Sequence, residues 1–285
     1  PTFTQSAPTD QFVYAGGAVG VTFAGDLITM FIFWELMAVA STAVIWANGG
    51  KTAYRASMRY ILMHLFGGVV LMAGIVGVVA QTGSIEFGAM KTDSLATWLI
   101  LIGFLVNAGA PPFSAWLPDA YPEASWSGTV FLSAFTTKTA VYVLLRGFPG
   151  AEVLIPIGGY MIFYGIIYAL LENDMRRILS YSIINQVGFM VVGIGIGTEL
   201  TLNGAAAHAF THIIYKALLL MSAGSVLLMS GGVRRCTDLG GLFKTMPYTA
   251  TMGIIGALAI SSFPFTSGFI SKSMIAQGAA DQHMF

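Results

Sequence analysis

The spacing of long apolar runs constrains this chain more than any other feature. Crossing a bilayer's hydrocarbon core takes about 20 mainly apolar residues in a helix. Candidate segments recur along the whole sequence, at 11–23, 27–47, 56–80, 95–108, 128–145, 153–171, 178–197, 202–230 and 248–276. The first is too short to span alone. The fourth stops at Gly109-Ala-Pro-Pro112, and the last is interrupted by Ser262-Phe-Pro-Phe-Thr-Ser-Gly268. Only 9% of the 285 residues are charged, against roughly 25% in an ordinary soluble domain. No stretch is polar enough and long enough to form a separate soluble domain. The expected fold is therefore all-α, a polytopic membrane helix bundle forming one transmembrane domain over 1–285.

Composition also excludes several function classes. The formal net charge is zero, so there is no basic field to attract nucleic acid. Cys236 is the sole cysteine, which leaves no disulfide framework and no multi-cysteine metal or iron–sulfur site. Neither a nucleotide fingerprint nor Cys/His zinc spacing occurs. No metal or cofactor is expected. The sequence has no signal peptide and starts at Pro1 rather than Met, which suggests a processed or incomplete record.

Sidedness follows from the basic residues. If the chain crosses at each segment from the second to the ninth, one side receives Lys51, Arg55, Arg59, Arg176, Arg177, Arg234, Arg235 and Lys244. The other receives Lys91 and Arg146. The richer side is expected to be cytoplasmic. Asp119 and Glu123, in the loop after the fourth segment, are expected to cap the helix that follows. Glu172, Asp174, Arg176 and Arg177 read as a solvated or interface cap at a helix end. Two helices should be discontinuous, one at Pro111-Pro112 and one at Pro264, because proline removes a backbone donor. Such breaks at membrane depth survive only against protein or a water-filled cavity, and paired broken helices point to an ion path. The plainer reading is two simple kinks.

Ionisable groups inside the apolar segments carry the functional argument. Each charged side chain near the bilayer centre costs roughly 2.5–3.5 kcal/mol on insertion scales. Glu35 lies mid-segment in Met30-Phe-Ile-Phe-Trp-Glu-Leu-Met37. It reads either as a hydrogen-bonded acid fastening two helices or as a carboxyl that exchanges protons or pairs with a lysine. Lys138 sits too deep for easy snorkelling and reads as a proton carrier or as a lysine held by a helix-end carbonyl or a fixed acid. His208, His212 and Lys216 follow at i, i+4 spacing, which places them in one stripe on a helix, about 6 Å apart per step. A proton relay is the natural use of such a stripe. A bis-histidine haem is the competing use, but only His64 and His283 remain as partners. Lys272 follows the second break and reads as a path residue or a rim lysine. His64 alone is a structural hydrogen-bonding residue or a side member of a polar axis. Asn107, just before the double proline, is a neutral group fit to bind water.

Several motifs together resemble one family. They are Phe33-Trp-Glu-Leu36, Trp116-Leu-Pro-Asp-Ala-Tyr-Pro122, Thr137-Lys-Thr-Ala-Val-Tyr142, Asp174-Met-Arg-Arg-Ile-Leu-Ser-Tyr-Ser182, Thr211-His-Ile-Ile-Tyr-Lys-Ala-Leu218 and Ser267-Gly-Phe-Ile-Ser-Lys272. In this order they resemble the antiporter-like membrane subunits shared by respiratory complex I and the Mrp-type multisubunit Na+/H+ antiporters, the D-type branch above all. The resemblance implies inverted repeats, each with a discontinuous helix, with most of the first repeat at 11–147 and part of the second at 153–285. It implies a proton path through Glu35, Lys138, His208, His212, Lys216 and Lys272, exchange of H+ for Na+ or another monovalent cation, partner membrane subunits in a multisubunit complex, and residence in the bacterial inner membrane. A redox-driven proton pump of the NADH:quinone oxidoreductase type is the alternative, and a haem-binding membrane enzyme a remote second. The sequence departs from the family pattern at Asn107, where a lysine is usual, so Glu35 lacks its customary partner unless Lys138 or His64 takes over. The chain also reads as an incomplete copy of a longer subunit.

Overall fold

The structure, a computed structural model, describes residues 8–283; Pro1 lies outside them. Among the described residues the chain is helical, with no strand and only two isolated β-bridges, Asp26 with Glu86 and Asp174 with Arg235. The helices are α1 (Pro8–Phe23), α2 (Leu27–Trp46), α3 (Gly50–Thr82), α4 (Leu95–Ala108), α5 (Trp116–Ala120), α6 (Trp126–Ala134), α7 (Thr136–Gly147), α8 (Leu154–Leu171), α9 (Met175–Ile196), α10 (Glu199–Met229), α11 (Leu242–Thr245), α12 (Pro247–Ile260) and α13 (Ser267–Asp281). Six stretches are long and apolar enough to cross a membrane: α2, α3, α6 with α7, α8, α9 and α10. Helices α4 and α12 are apolar but shorter. The chain is a multi-pass membrane helix bundle.

Local chemistry sets the helix ends. Asp26 caps α2 by accepting from Thr29 N at 2.8 Å, and Ser94 with Thr97 forms a capping box on α4. Asp174 caps α9 through the Arg176 and Arg177 amides. The apolar faces of α8 and α9 meet where both carry glycine. A Cβ on Gly158 would stand 2.7 Å from Gly188 O, so only glycine allows this backbone approach.

The two ends of the bundle carry different arginine contacts. At one end Arg59 pairs with Asp119 at 2.6 Å, and Arg234 pairs with Glu123 at 3.0 Å and Asp174 at 2.6 Å. At the other, Arg146 donates to Ala24 O at 2.5 Å and to Phe87 O at 2.8 Å. One expectation is corrected here. Asp119 and Glu123 do not cap α6; Ser125 does, accepting from Gly128 N at 3.0 Å. The two acids are turned away to the arginines of neighbouring segments. Arg176 is not solvated either. It is 7% exposed and ties α9 to the loop before α6 by donating to Ala124 O at 2.9 Å and to Thr129 Oγ1.

Both anticipated breaks are present. Helix α4 ends at Gly109 in the left-handed region, φ 77°, and the chain turns through Pro111-Pro112 into α5. The second break separates α12 from α13, where Ser262 and Phe265 take φ of 59° and 69°, values L-residues rarely adopt. A third break was not legible. The segment expected as one helix at 128–145 is divided at Phe135 (φ −107°, ψ −64°) into α6 and α7.

Candidate functional site

The breaks and the i, i+4 stripe bring one set of titratable side chains together. On α10, His208, His212 and Lys216 are all 0% exposed. The imidazole centroids of His208 and His212 are 6.2 Å apart, as a helical stripe requires. Lys138 on α7 interacts electrostatically with Lys216 and both histidines. Lys272 on α13, half-buried, interacts with His208, His212 and Lys216. Among the described residues, no carboxylate pairs with any of these five groups.

Each lysine is anchored by a neutral oxygen. Lys138 Nζ donates to Ser133 O at 2.7 Å and to Thr137 Oγ1 at 3.2 Å. Lys272 Nζ donates to Ile260 O, the last residue of α12, at 2.8 Å. A helix C-terminus carries partial negative charge, so an ammonium is favoured there. Lys216 Nζ donates to Ser182 Oγ on α9. These oxygens hold ammonium groups without ion-pairing them.

The histidines differ from each other. His208 Nδ1 lies 2.8 Å from Ser271 Oγ, and Nε2 lies 3.1 Å from Gln186 Oε1. Gln186 Nε2 donates to Asn185 Oδ1 at 2.7 Å, so Oε1 faces the imidazole as an acceptor and His208 carries its proton on Nε2. Both ring nitrogens of His212 are buried without a hydrogen-bond partner.

The first half is arranged differently. Glu35 Oε1 is buried without a partner and packs on Gly68 of α3, where a Cβ would collide with the carboxylate. Among the described residues no ion pair to Glu35 forms, with Lys138, with His64 or with any other cation. Asn107 is 0% exposed with both amide atoms unpartnered. His64 Nδ1 is 2.9 Å from Tyr60 O, and the ring stacks on Tyr60 and meets Trp116 edge-on. The structure therefore brings Lys138, His208, His212, Lys216 and Lys272 together and leaves Glu35, Asn107 and His64 outside that group.

Sequence reasoning missed the neutral groups that hold these side chains: Ser133, Ser182, Asn185, Gln186 and Ser271. The last four lie on buried or half-buried helix faces, and polar residues there in an otherwise apolar helix are the signal that would have found them. Ser133 acts through its backbone, which no side-chain pattern reports.

A multi-pass bundle with broken helices that buries lysines and histidines among its spans defines a polytopic membrane subunit. The chain belongs to the NADH:quinone oxidoreductase/Mrp antiporter transmembrane family, whose model matches residues 24–285. It is 32% identical over 283 residues to the D-type component of the Na(+)/H(+) antiporter of Alkalihalophilus pseudofirmus, covering 92% of this chain and 57% of that protein. It is 31% identical over 286 residues to the N-type component of the NADH-quinone oxidoreductase of Desulforudis audaxviator, covering 93% and 57%. The fold matches one protein of the Mrp complex from Dietzia sp. DQ12-45-1b with a TM-score of 0.93 at 24% identity, over 99% of this chain and 56% of that one. The chain thus spans a little over half the length of these relatives.

Proposed function

We propose that this chain is the proton-translocating part of an antiporter-like subunit in a multisubunit membrane complex, exchanging H+ for Na+ or another monovalent cation. One observation carries the reading: Lys138, His208, His212, Lys216 and Lys272 lie together inside the bundle, and among the described residues no carboxylate pairs with them. Two unit charges about 7 Å apart interact by roughly 2 kcal/mol at an effective dielectric near 20. A proton placed on one of these groups therefore disfavours a proton on the next, and each arrival pushes a departure. Such a row moves protons one at a time. The path runs from Lys138 through the α10 stripe to Lys272, with water around His212. Glu35, Asn107 and His64 form a separate segment of the first half, which reaches the row through water.

The same reading assigns 11–147 and 153–285 to most of one repeat and part of a second, since each half holds a discontinuous helix. It assigns the end rich in arginine ion pairs to the cytoplasm of a bacterium, with the chain in the inner membrane. The near-equal likeness to an NADH-quinone oxidoreductase component supports a second reading, in which an electron-transfer partner drives the same row of groups. In that reading the redox centres and their electrons belong to the partner, and this chain supplies the proton row.

The test is flux in proteoliposomes containing the assembled complex. Lys216→Gln keeps a hydrogen-bonding head for Ser182 and removes the charge. Proton flux is expected to fall at least tenfold with assembly intact. Wild-type flux in this variant overturns the reading. Flux that answers to an imposed Na+ gradient marks the exchanger, and flux that requires quinone reduction marks the redox pump.

A further inference from the structure

The span containing Lys138 breaks where no residue in the sequence demands it. Between Gly128 and Gly147 there is neither glycine nor proline. Helices kink at such places when a side chain inserts into the hydrogen-bond ladder. An uninterrupted helix would bond Thr136 N–H to Leu132 O and Thr137 N–H to Ser133 O. Instead Thr136 N donates to the phenol oxygen of Tyr14 on α1 at 2.7 Å. Leu132 O accepts from Tyr121 Oη at 2.9 Å. Ser133 O, the carbonyl next along, accepts from Lys138 Nζ.

The Tyr14 hydroxyl is itself held by a buried chain. Tyr14 Oη lies 2.5 Å from Thr136 Oγ1, which lies 3.2 Å from Tyr60 Oη; Tyr60 donates to Ser41 Oγ at 2.9 Å, and Ser41 to Ala38 O at 3.0 Å. One donor order satisfies every member, from the Thr136 amide through Tyr14, the Thr136 hydroxyl, Tyr60 and Ser41 to the Ala38 carbonyl. All four side chains are at most 1% exposed. The chain begins and ends on backbone groups, so it delivers no proton to either surface. It is a clamp.

We propose that Tyr14 is a positioning residue for Lys138: its hydroxyl holds the α6–α7 break open, and the open break presents the Ser133 carbonyl that fixes the ammonium beside Lys216 and His212. Without the hydroxyl, Thr136 N–H returns to Leu132 O, the ladder closes, and Ser133 O is recaptured by the backbone. The inference rests on the proton-relay reading, because it assumes that the place of Lys138 matters to flux. The titratable groups that act on Lys138 are Lys216, His208 and His212 from α10; the phenols of Tyr14, Tyr60 and Tyr121 stand at the break itself, on Thr136 and Leu132.

Tyr14→Phe tests this in the assembled complex, since it keeps the ring and removes one hydroxyl. Expected are normal assembly, a flux reduced about tenfold and a pH of half-maximal flux moved by about one unit, with Tyr142→Phe, which removes a phenol bonded to Thr22 O away from the break, leaving that midpoint in place. An assembled Tyr14→Phe complex with wild-type flux and midpoint overturns the proposal. If Tyr14→Phe does not assemble, replacing Tyr14 by 4-aminophenylalanine, whose nitrogen reaches the place of the phenol oxygen and stays neutral, is expected to restore assembly and the wild-type midpoint; a displaced midpoint there overturns it. Lys138→Gln separates the two levels. If it abolishes flux while Tyr14→Phe has no effect, only the positioning role fails; if it leaves flux intact, the relay reading fails.

Discussion

His208 Nδ1 and the hydroxyl of Ser271 share a hydrogen bond of 2.8 Å, joining α10 to α13 directly beyond the second break. The opposite ring nitrogen already bonds Gln186, so Ser271 completes the set that fixes the ring's orientation and proton. Removing it leaves a buried nitrogen unsatisfied, which costs about 1–3 kcal/mol. Ser271→Ala is expected to slow proton flux roughly tenfold, whereas Ser271→Thr keeps the hydroxyl and most of the rate. Proteoliposome flux on both variants decides it, and equal rates for the two count against an oriented imidazole.

Glu35 depends on a glycine rather than on a cation. Its carboxylate packs where Gly68 has no side chain, and a Cβ there would overlap Oε1. Gly68→Ala should push Glu35 aside and destabilise the bundle by about 1–3 kcal/mol. Gly16 has nothing within 4 Å of its would-be Cβ, so Gly16→Ala should be tolerated or mildly stabilising. Thermal unfolding in detergent compares the two directly.

These relationships mark how far the sequence could be read. Apolar run length gave the spans, because the bilayer fixes the length of a crossing helix. Pro112 and Pro264 gave two breaks, because proline's missing donor acts locally. The His208, His212 and Lys216 stripe followed from helical period alone. The break at Phe135 was hidden, because its cause is Tyr14, on another helix and far away in sequence. The neutral anchors were hidden for the same reason: Ser182 and Gln186 matter through what faces them. Asp119 and Glu123 were misassigned because capping propensity was weighed without Arg59 and Arg234, which folding brings within ion-pair distance.

Two arginines at the charged end should differ sharply. Arg59 pairs with Asp119, but their side chains are 58% and 38% exposed, and exposed pairs contribute about 0–1 kcal/mol. Arg176 is buried and serves Ala124 O, Ser125 O and Thr129 Oγ1. Arg59→Ala should barely change the unfolding temperature. Arg176→Met should lower it clearly, since buried acceptors lose a charged donor at about 1.5–3 kcal/mol. A chemical-denaturation series on both variants reads the contrast, and similar midpoints would remove Arg176 from its structural role.

Asp26 makes the opposite end of the bundle sensitive to acid. Its carboxylate caps α2, and the Thr29 backbone N–H holds its pKa below the ordinary 3.8. A group whose pKa is lower in the folded state contributes stability that is complete above its unfolded-state pKa and is lost as pH falls through the folded value. The cap should therefore be fully effective at neutral pH and weaken only in strong acid. Asp26→Ala is expected to cost about 1 kcal/mol at pH 7, whereas Asp26→Asn, which still accepts from Thr29 N, costs less and removes the acid dependence of this contribution. Unfolding of wild type and both variants across the acid range measures this. A wild-type advantage over Asp26→Ala that does not shrink as pH drops would show that the cap acts without its charge.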